Sequence, residues 1–468
     1  MLEEKVQNYK SEIIQKTQEL IQIPSVYSKT NNPQKPFGEN INTALEYMLN
    51  LGKKLGFKTK NVDGYCGYIE FGEESQEMIG IIGHLDVVPA GDGWNFPPFK
   101  GVVSDNKIFG RGAVDDKGPV ISSLYAMKII KDNYNINKRV RLILGLDEER
   151  DWRCIHYYKA HEEPPAIGFS PDADFPCIYA EKAVLSCSLS YNISNILEEK
   201  IKIIDIDCEN NPLNVVPKKC SCILKIDSKQ IEMEKFIQKL KTIINNFEID
   251  IYKIDEETIK LTSYGVAAHA AHPDLGINAI SRLLVVLNKI FMEYQINIPI
   301  LNFFEKYINT EYTGKSLEIN CEDESGILTL NVGQLFLKEN VIEVAMNLRV
   351  PVKTSLETIC SKIEKIAKTE GIKFSEIACN PALYISKKAY LPQTLCEIFN
   401  EETNSNLEPI AIGGATFARA FKNCISFGPN FPNDKDMCHQ VDEYIEIDKM
   451  LKACFMYAKA ILKWSLLE

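Results

Sequence analysis

Apolar and polar positions change their spacing several times along this 468-residue chain, and each change marks an element. Ile13, Ile14, Leu20 and Ile21 stand among charges at helical spacing. They predict an amphipathic helix over residues 1–23, closed before Pro24 because the residue preceding a proline avoids helical backbone. Ile41, Leu45, Met48 and Leu51 repeat the pattern in a second helix over 38–55. Short strands are expected at 58–62, 68–71 and 78–82. The last of these is continuously apolar, and so is most of 140–146. Strands apolar on both faces belong in the interior of a parallel sheet. A third helix is expected over 118–132, and this alternation of strands and helices argues for an α/β layer architecture.

Near residue 184 the texture changes. Polar-faced strands then alternate with amphipathic helices to about residue 386, and two stretches share one order. A strand at 222–227 leads to a helix over 233–245; a strand at 344–351 leads to a helix over 356–368. Each reads strand, loop, helix, strand, which suggests two similar lobes from a weak internal duplication. An apolar helix ending at Phe291 lies between them. From 389 the α/β texture resumes with a helix to about 400, a strand, Gly-rich turn and helix start over 410–419, a strand at 424–428 and a closing helix over 448–466. The expected fold is therefore a split α/β domain, 1–185 and 387–468, with a mostly parallel sheet flanked by helices. An α+β domain of two lobes, 186–386, is inserted in it.

Length and composition narrow the classes. A chain this long exceeds one ordinary core, so two or three domains are expected. A content of 45% apolar and 25% charged residues is that of a globular protein. A net charge of −11 disfavours a nucleic-acid or anionic-membrane surface. No apolar run is long enough to span a bilayer, and the charged first residues do not resemble a secretory signal. The fourteen cysteines are scattered without zinc-ribbon spacing and read as reduced thiols. A soluble cytoplasmic protein is expected.

Candidate chemistry concentrates at strand ends. His84-x-Asp86 follows the apolar run at 78–82, where residues two apart share a side, so a carboxylate is placed to orient an imidazole as a metal-ligating histidine requires. Read alone, the pair could equally be a histidine held by a carboxylate. Asp115-Asp116 precede the third helix, and either could serve an ion. Glu148 and Glu149 are adjacent carboxylates ending a buried strand, a costly placement that a metal on one of them would relieve, leaving the other as a base. Pairing with Arg150 and Arg153 is the alternative. Asp172 sits among prolines, where a turn-forming role is also open. His269 and His272 share one loop, Gly413-Gly414 make a turn suited to an anion, and His439 precedes Asp442-Glu443 near the end of the chain.

In this order the motifs resemble the M20 metallopeptidase family, in its PepV-like and carnosinase-like dipeptidase branch. They are Gly-His-Leu-Asp-Val-Val-Pro-x-Gly-x-Gly-Trp, Gly-Arg-Gly-x-x-Asp-Asp-Lys-Gly-Pro, Asp-Glu-Glu and Ser-Pro-Asp-Ala-Asp-Phe-Pro. The resemblance covers nearly the whole chain. It implies two divalent ions, zinc foremost with manganese or cobalt as alternatives. Asp115 would bridge them, His84 and Asp172 would complete one, and Glu149 and His439 the other. Glu148 would act as general base toward a metal-bridging water, with Asp86 behind His84. The insertion would be a lid. In it His269 would reach the tetrahedral oxyanion, Arg349 would clamp a substrate carboxylate, and Asn214 would lie near the substrate. Gly414 and Thr416 would border the same pocket. A surface salt bridge for Arg349 and a turn role for Asn214 remain alternatives, and His272 reads as a surface residue. The substrates implied are dipeptides with a free amino terminus and carboxylate. A monomer is implied too, because two lid lobes in one chain supply what smaller relatives take from a partner.

The chain departs from the branch at Arg150-Asp151, where a Ser-Gly pair is usual, at Ala415, and at Ala270-Ala271. No ligand is removed, so these bear on substrate preference and turnover. Two rival functions remain: an N-acyl-amino-acid deacylase using the same metals and base, and a non-catalytic binding protein that keeps the fold.

Overall fold

The computed structural model describes residues 2–74, 77–194, 199–245 and 247–466; Met1, the first residue of the first expected helix, lies outside them. The chain divides into two compact units, one of Met1–Ala180, Leu383–Ile410 and Ala415–Glu468, the other of Glu181–Ala382 and Ala411–Gly414.

The first unit is built on a nine-stranded sheet. Its order is Lys58–Val62, Cys66–Phe71, Arg139–Gly145, Met78–His84, Ile167–Ser170, Cys424–Ser426, Ile178–Glu181, Leu383–Tyr384, with Ile410–Ile412 alongside Ile178–Glu181. The four strands from Arg139–Gly145 to Cys424–Ser426 are mutually parallel. Every residue of Met78–His84 and Arg139–Gly145 is buried, as their apolar runs require. The edges are antiparallel, so the expected mostly parallel sheet is a mixed one. At the first edge the cause is local: Asp63 and Gly64, both at positive φ, turn the first strand straight back on the second, and strands joined so closely pair antiparallel.

The helix Lys117–Asn133 is buried on all sides through most of its length and packs on the closing helix Ile447–Ser465, which explains why its sequence lacks a polar face. The first expected helix is two, Leu2–Asn8 and Lys10–Ile21, parted at Tyr9. The turn after Ile410–Ile412 enters a four-residue 3₁₀ helix, Phe417–Ala420, rather than an α-helix. The hairpin Val102–Ser104/Lys107–Phe109, the helix Arg153–His161 and the helix Pro299–Tyr307 left no clear sequence signal.

The second unit holds two four-stranded antiparallel sheets. One runs Thr329–Lys338, Val341–Val350, Ala183–Asn192, Lys373–Asn380; the other runs Ile201–Asp207, Lys219–Ile226, Thr258–Tyr264, Ile249–Lys253. The helix Met233–Ile244 follows a strand of the second sheet and Leu356–Thr369 a strand of the first. Ala279–Glu293, with eleven buried residues, anchors their shared apolar core.

Candidate metal centre

Three neighbouring parallel strands end at one place. His84 is the last residue of Met78–His84, Glu148 and Glu149 follow Arg139–Gly145, and Asp172 follows Ile167–Ser170. The carboxyl ends of parallel strands are where α/β sheets bind ligands, because there the loops diverge and leave a crevice. Asp115 joins from the turn before the helix Lys117–Asn133, and His439 from the loop before the closing helix.

Asp115 is shared. Its Oδ1 lies 2.9 Å from His84 Nε2, and its Oδ2 lies 3.2 Å from His439 Nε2. His84 Nε2 is also 3.6 Å from Asp172 Oδ2, and His439 Nε2 is 3.0 Å from Glu149 Oε2. Ligand atoms of His84, Asp115 and Glu149 lie within 4.8 Å of one another, as do those of His84, Glu148 and Asp172. His84 is fully buried, whereas the His439 side chain is 52% exposed, so one side of the cluster is open.

The main chain around His84 is tightly held. Its Nδ1–H donates to the carbonyl oxygen of Asp86 at 2.9 Å, which turns Nε2 toward the cluster. The orienting acceptor is thus first the backbone of Asp86; its carboxylate Oδ1 stands 3.6 Å from Nδ1. That carboxylate instead accepts the N–H groups of Glu148 at 3.2 Å and Glu149 at 3.1 Å, and so holds the two glutamates in place. Asp116, left open as a ligand by the sequence, accepts the His84 N–H at 3.1 Å. Its approach requires Gly83, where a Cβ would sit 2.5 Å from Asp116 Oδ2.

Electrostatics test whether a cation suits these residues. Burial raises the Glu148 carboxyl well above its ordinary value; the nearby His84 opposes this, and the Asp172 and Glu149 charges add to it. Burial and the Asp115 charge raise Asp172 and Glu149 in the same way. Burial would raise Asp115 too, but the bonds from His439 and His84 hold it well below the carboxylate range. Burial lowers His439, yet its bonds to Asp115 and Glu149 outweigh that and push it up to about 11. Carboxylates that burial and one another's charge disfavour as anions call for a positive partner. Donors spaced about 3 Å apart, imidazole against carboxylate, suit bonds of about 2.0–2.2 Å to one ion, so divalent cations fit.

Asn214, His269, Arg349 and Gly414 belong to the second unit and Thr416 to the first. The carbonyl of Asn214 accepts the Ala270 N–H at 2.8 Å, and His269 Nδ1 accepts the Ala271 N–H at 3.3 Å. Arg349 is buried: its Nε donates to Asn347 Oδ1 at 3.0 Å and its Nη1 to the Gly413 carbonyl at 2.7 Å. The Thr416 hydroxyl bonds to Ser426 at 2.7 Å and caps the 3₁₀ helix. His272 is exposed. The Arg150 guanidinium lies 3.9 Å over the Tyr27 ring, so the charge beside Glu149 rests on an aromatic face.

A mixed imidazole–carboxylate cluster over the carboxyl ends of a parallel sheet is the donor set of a metal-dependent hydrolase of the α/β class. The chain belongs to the peptidase family M20/M25/M40, whose sequence profile matches residues 80–463. It is 39% identical over 457 residues to "Putative dipeptidase YtjP" of Bacillus subtilis (strain 168), covering 97% of each chain. It is 32% identical over 468 residues to a "Putative dipeptidase" of Staphylococcus epidermidis, covering 98% of each. Among solved structures, human carnosine dipeptidase 1 matches with a TM-score of 0.61 at 12% identity, over 100% of this chain and 98% of that one. The Saccharomyces cerevisiae di-peptidase Dug1p matches with 0.60 at 14% identity, over 99% and 98%. At these identities the two structures speak to the fold.

Proposed function

We propose that this chain is a metal-dependent dipeptidase acting on short peptides with a free amino terminus and a free carboxyl terminus. The observation that carries the reading is Asp115, with one carboxylate oxygen facing each of two imidazoles, in a chain of this peptidase family. Asp115, His84 and Asp172 would hold one divalent ion, and Asp115, Glu149 and His439 a second; zinc suits the donors best, and manganese or cobalt can use them. Such ions lower the pKa of water and polarise a peptide carbonyl. Glu148 does the proton work: a carboxylate oxygen takes a proton from the attacking water and delivers it to the departing amine. Asp86 keeps Glu148 and His84 in register through the bonds described above.

In the second unit, His269 is assigned to the oxyanion, and Arg349 to the substrate carboxylate, which its planar fork matches in shape. Asn214, Gly414 and Thr416 are assigned to the substrate's surroundings. Among the described residues no helix is long and apolar enough to cross a membrane. All fourteen cysteines are free, which suits the cytoplasm, and two lobes in one chain suit a monomer. The protein is expected to follow a cytoplasmic marker in fractionation and to elute at one 53.1-kDa chain; a dimer peak would contradict the monomer.

The names of the full-length relatives favour a dipeptidase over an N-acyl-amino-acid deacylase, and the complete ligand set with Glu148 argues against a mere binder. A panel of matched dipeptides, free-amine, β-alanyl and N-acetylated, separates the three. Cleavage of the free-amine members alone is expected. Preference for the N-acetyl members would make the chain a deacylase, and silence with metal bound would make it a binder.

A further inference from the structure

Two buried charges outside the ligand set tie two of the ligands together. Arg111 and Glu443 pair with 2.7 Å between Nη1 and Oε2, at 2% and 0% side-chain exposure. Neither stops there. Glu443 Oε1 accepts the N–H of Val114 at 3.0 Å and that of Asp115 at 3.3 Å. The guanidinium donates through Nη2 to the carbonyl of His439 at 3.1 Å and through Nη1 to that of Gln440 at 3.3 Å. Trp94 covers it, with the ring centroid 5.3 Å away. Three bonds thus join the backbone of Asp115 to the backbone of His439: Asp115 to Glu443, Glu443 to Arg111, Arg111 to the His439 carbonyl.

His439 needs such a hold. Its φ of 64° is a left-handed conformation that a residue with a Cβ adopts only when its surroundings fix it. A planar guanidinium can serve the Glu443 carboxylate and the His439 and Gln440 carbonyls from one fixed fork, which a single ammonium cannot. His84 itself is held by other means, the Asp86 carbonyl on Nδ1 and Asp116 on the N–H, and neither bond passes through the pair.

We propose that Arg111 and Glu443 are positioning residues that set the spacing of Asp115 and His439, and that they govern affinity for the ion on the His439 side more than for the ion on the His84 side. The inference rests on the metal reading given above. It is tested by titrating Zn²⁺ into metal-stripped wild type, Arg111→Lys and Glu443→Gln, in competition with a chelator of known affinity. Circular dichroism and melting of the metal-free proteins are recorded beside it. Wild type is expected to take up two ions. In Arg111→Lys one of them should bind about 10–100-fold more weakly, the range found when groups behind metal ligands are changed. The other ion, which shares Asp115, should weaken less, and the metal-free fold should be unchanged. His439→Ala should weaken the same ion, and Glu443→Gln should act in the same direction as Arg111→Lys.

Isotherms of both pair variants that superimpose on wild type would overturn the inference, and so would equal weakening of both ions. Loss of the metal-free fold in both variants would make the pair a folding element and overturn it as well. Wild type taking up fewer than two ions would instead remove the metal reading itself.

Discussion

Glu148→Gln is expected to lower kcat on a free-amine dipeptide by about 10²–10⁴-fold, the usual contribution of a positioned general base, with metal content unchanged. The substitution keeps the side chain's length and one acceptor oxygen but removes its ability to take a proton. Metal content is the informative companion readout. A ligand atom of Glu148 lies within 4.8 Å of those of His84 and Asp172, so geometry alone would also allow it to hold an ion. A base leaves both ions bound when it is changed to glutamine; a ligand does not. Loss of one ion in Glu148→Gln would move Glu148 into the coordination shell and leave the base to be found elsewhere.

Asp115→Asn is expected to have a wider effect, because each of its oxygens serves a different imidazole. An amide offers one acceptor oxygen and turns an NH₂ group toward the other side. Both ions should be lost or greatly weakened, and hydrolysis should fall by at least about 10³-fold, a loss larger than one donor normally carries. The comparison with His439→Ala is decisive, since that change should spare the ion on the His84 side. Metal analysis after gel filtration reads both. Two equivalents retained by Asp115→Asn would show that Asp115 is not shared.

Much of this centre was legible in the sequence because its ligands follow strands that are unambiguous. The apolar runs at 78–82 and 140–146 read as buried strands, and the parallel pairing of the two brings His84, Glu148 and Glu149 together. What the sequence could not carry was which atom of a residue acts. Spacing places Asp86 beside His84, but the closer partner is its carbonyl, while its carboxylate holds the glutamates. Arg111 and Glu443 lie inside recognisable motifs, yet nothing local pairs residues so far apart in the chain. Arg150 beside Glu149 suggested a charge over the ligand, and only the fold supplies Tyr27 for it to lie on. The antiparallel edge at Lys58–Val62 was hidden for a similar reason: the strand is short and half polar, and its direction is set by the turn at Asp63 and Gly64. The helix Pro299–Tyr307 followed its neighbour too closely for periodicity to separate the two.

The most direct measurement is dipeptide hydrolysis by metal-stripped protein as Zn²⁺, Mn²⁺ or Co²⁺ is added back in known equivalents. The account predicts no turnover in the stripped protein and activity that rises to a plateau at two equivalents, with one ion outperforming the others. Turnover undiminished by stripping, or none at full occupancy with both ions bound, would contradict it.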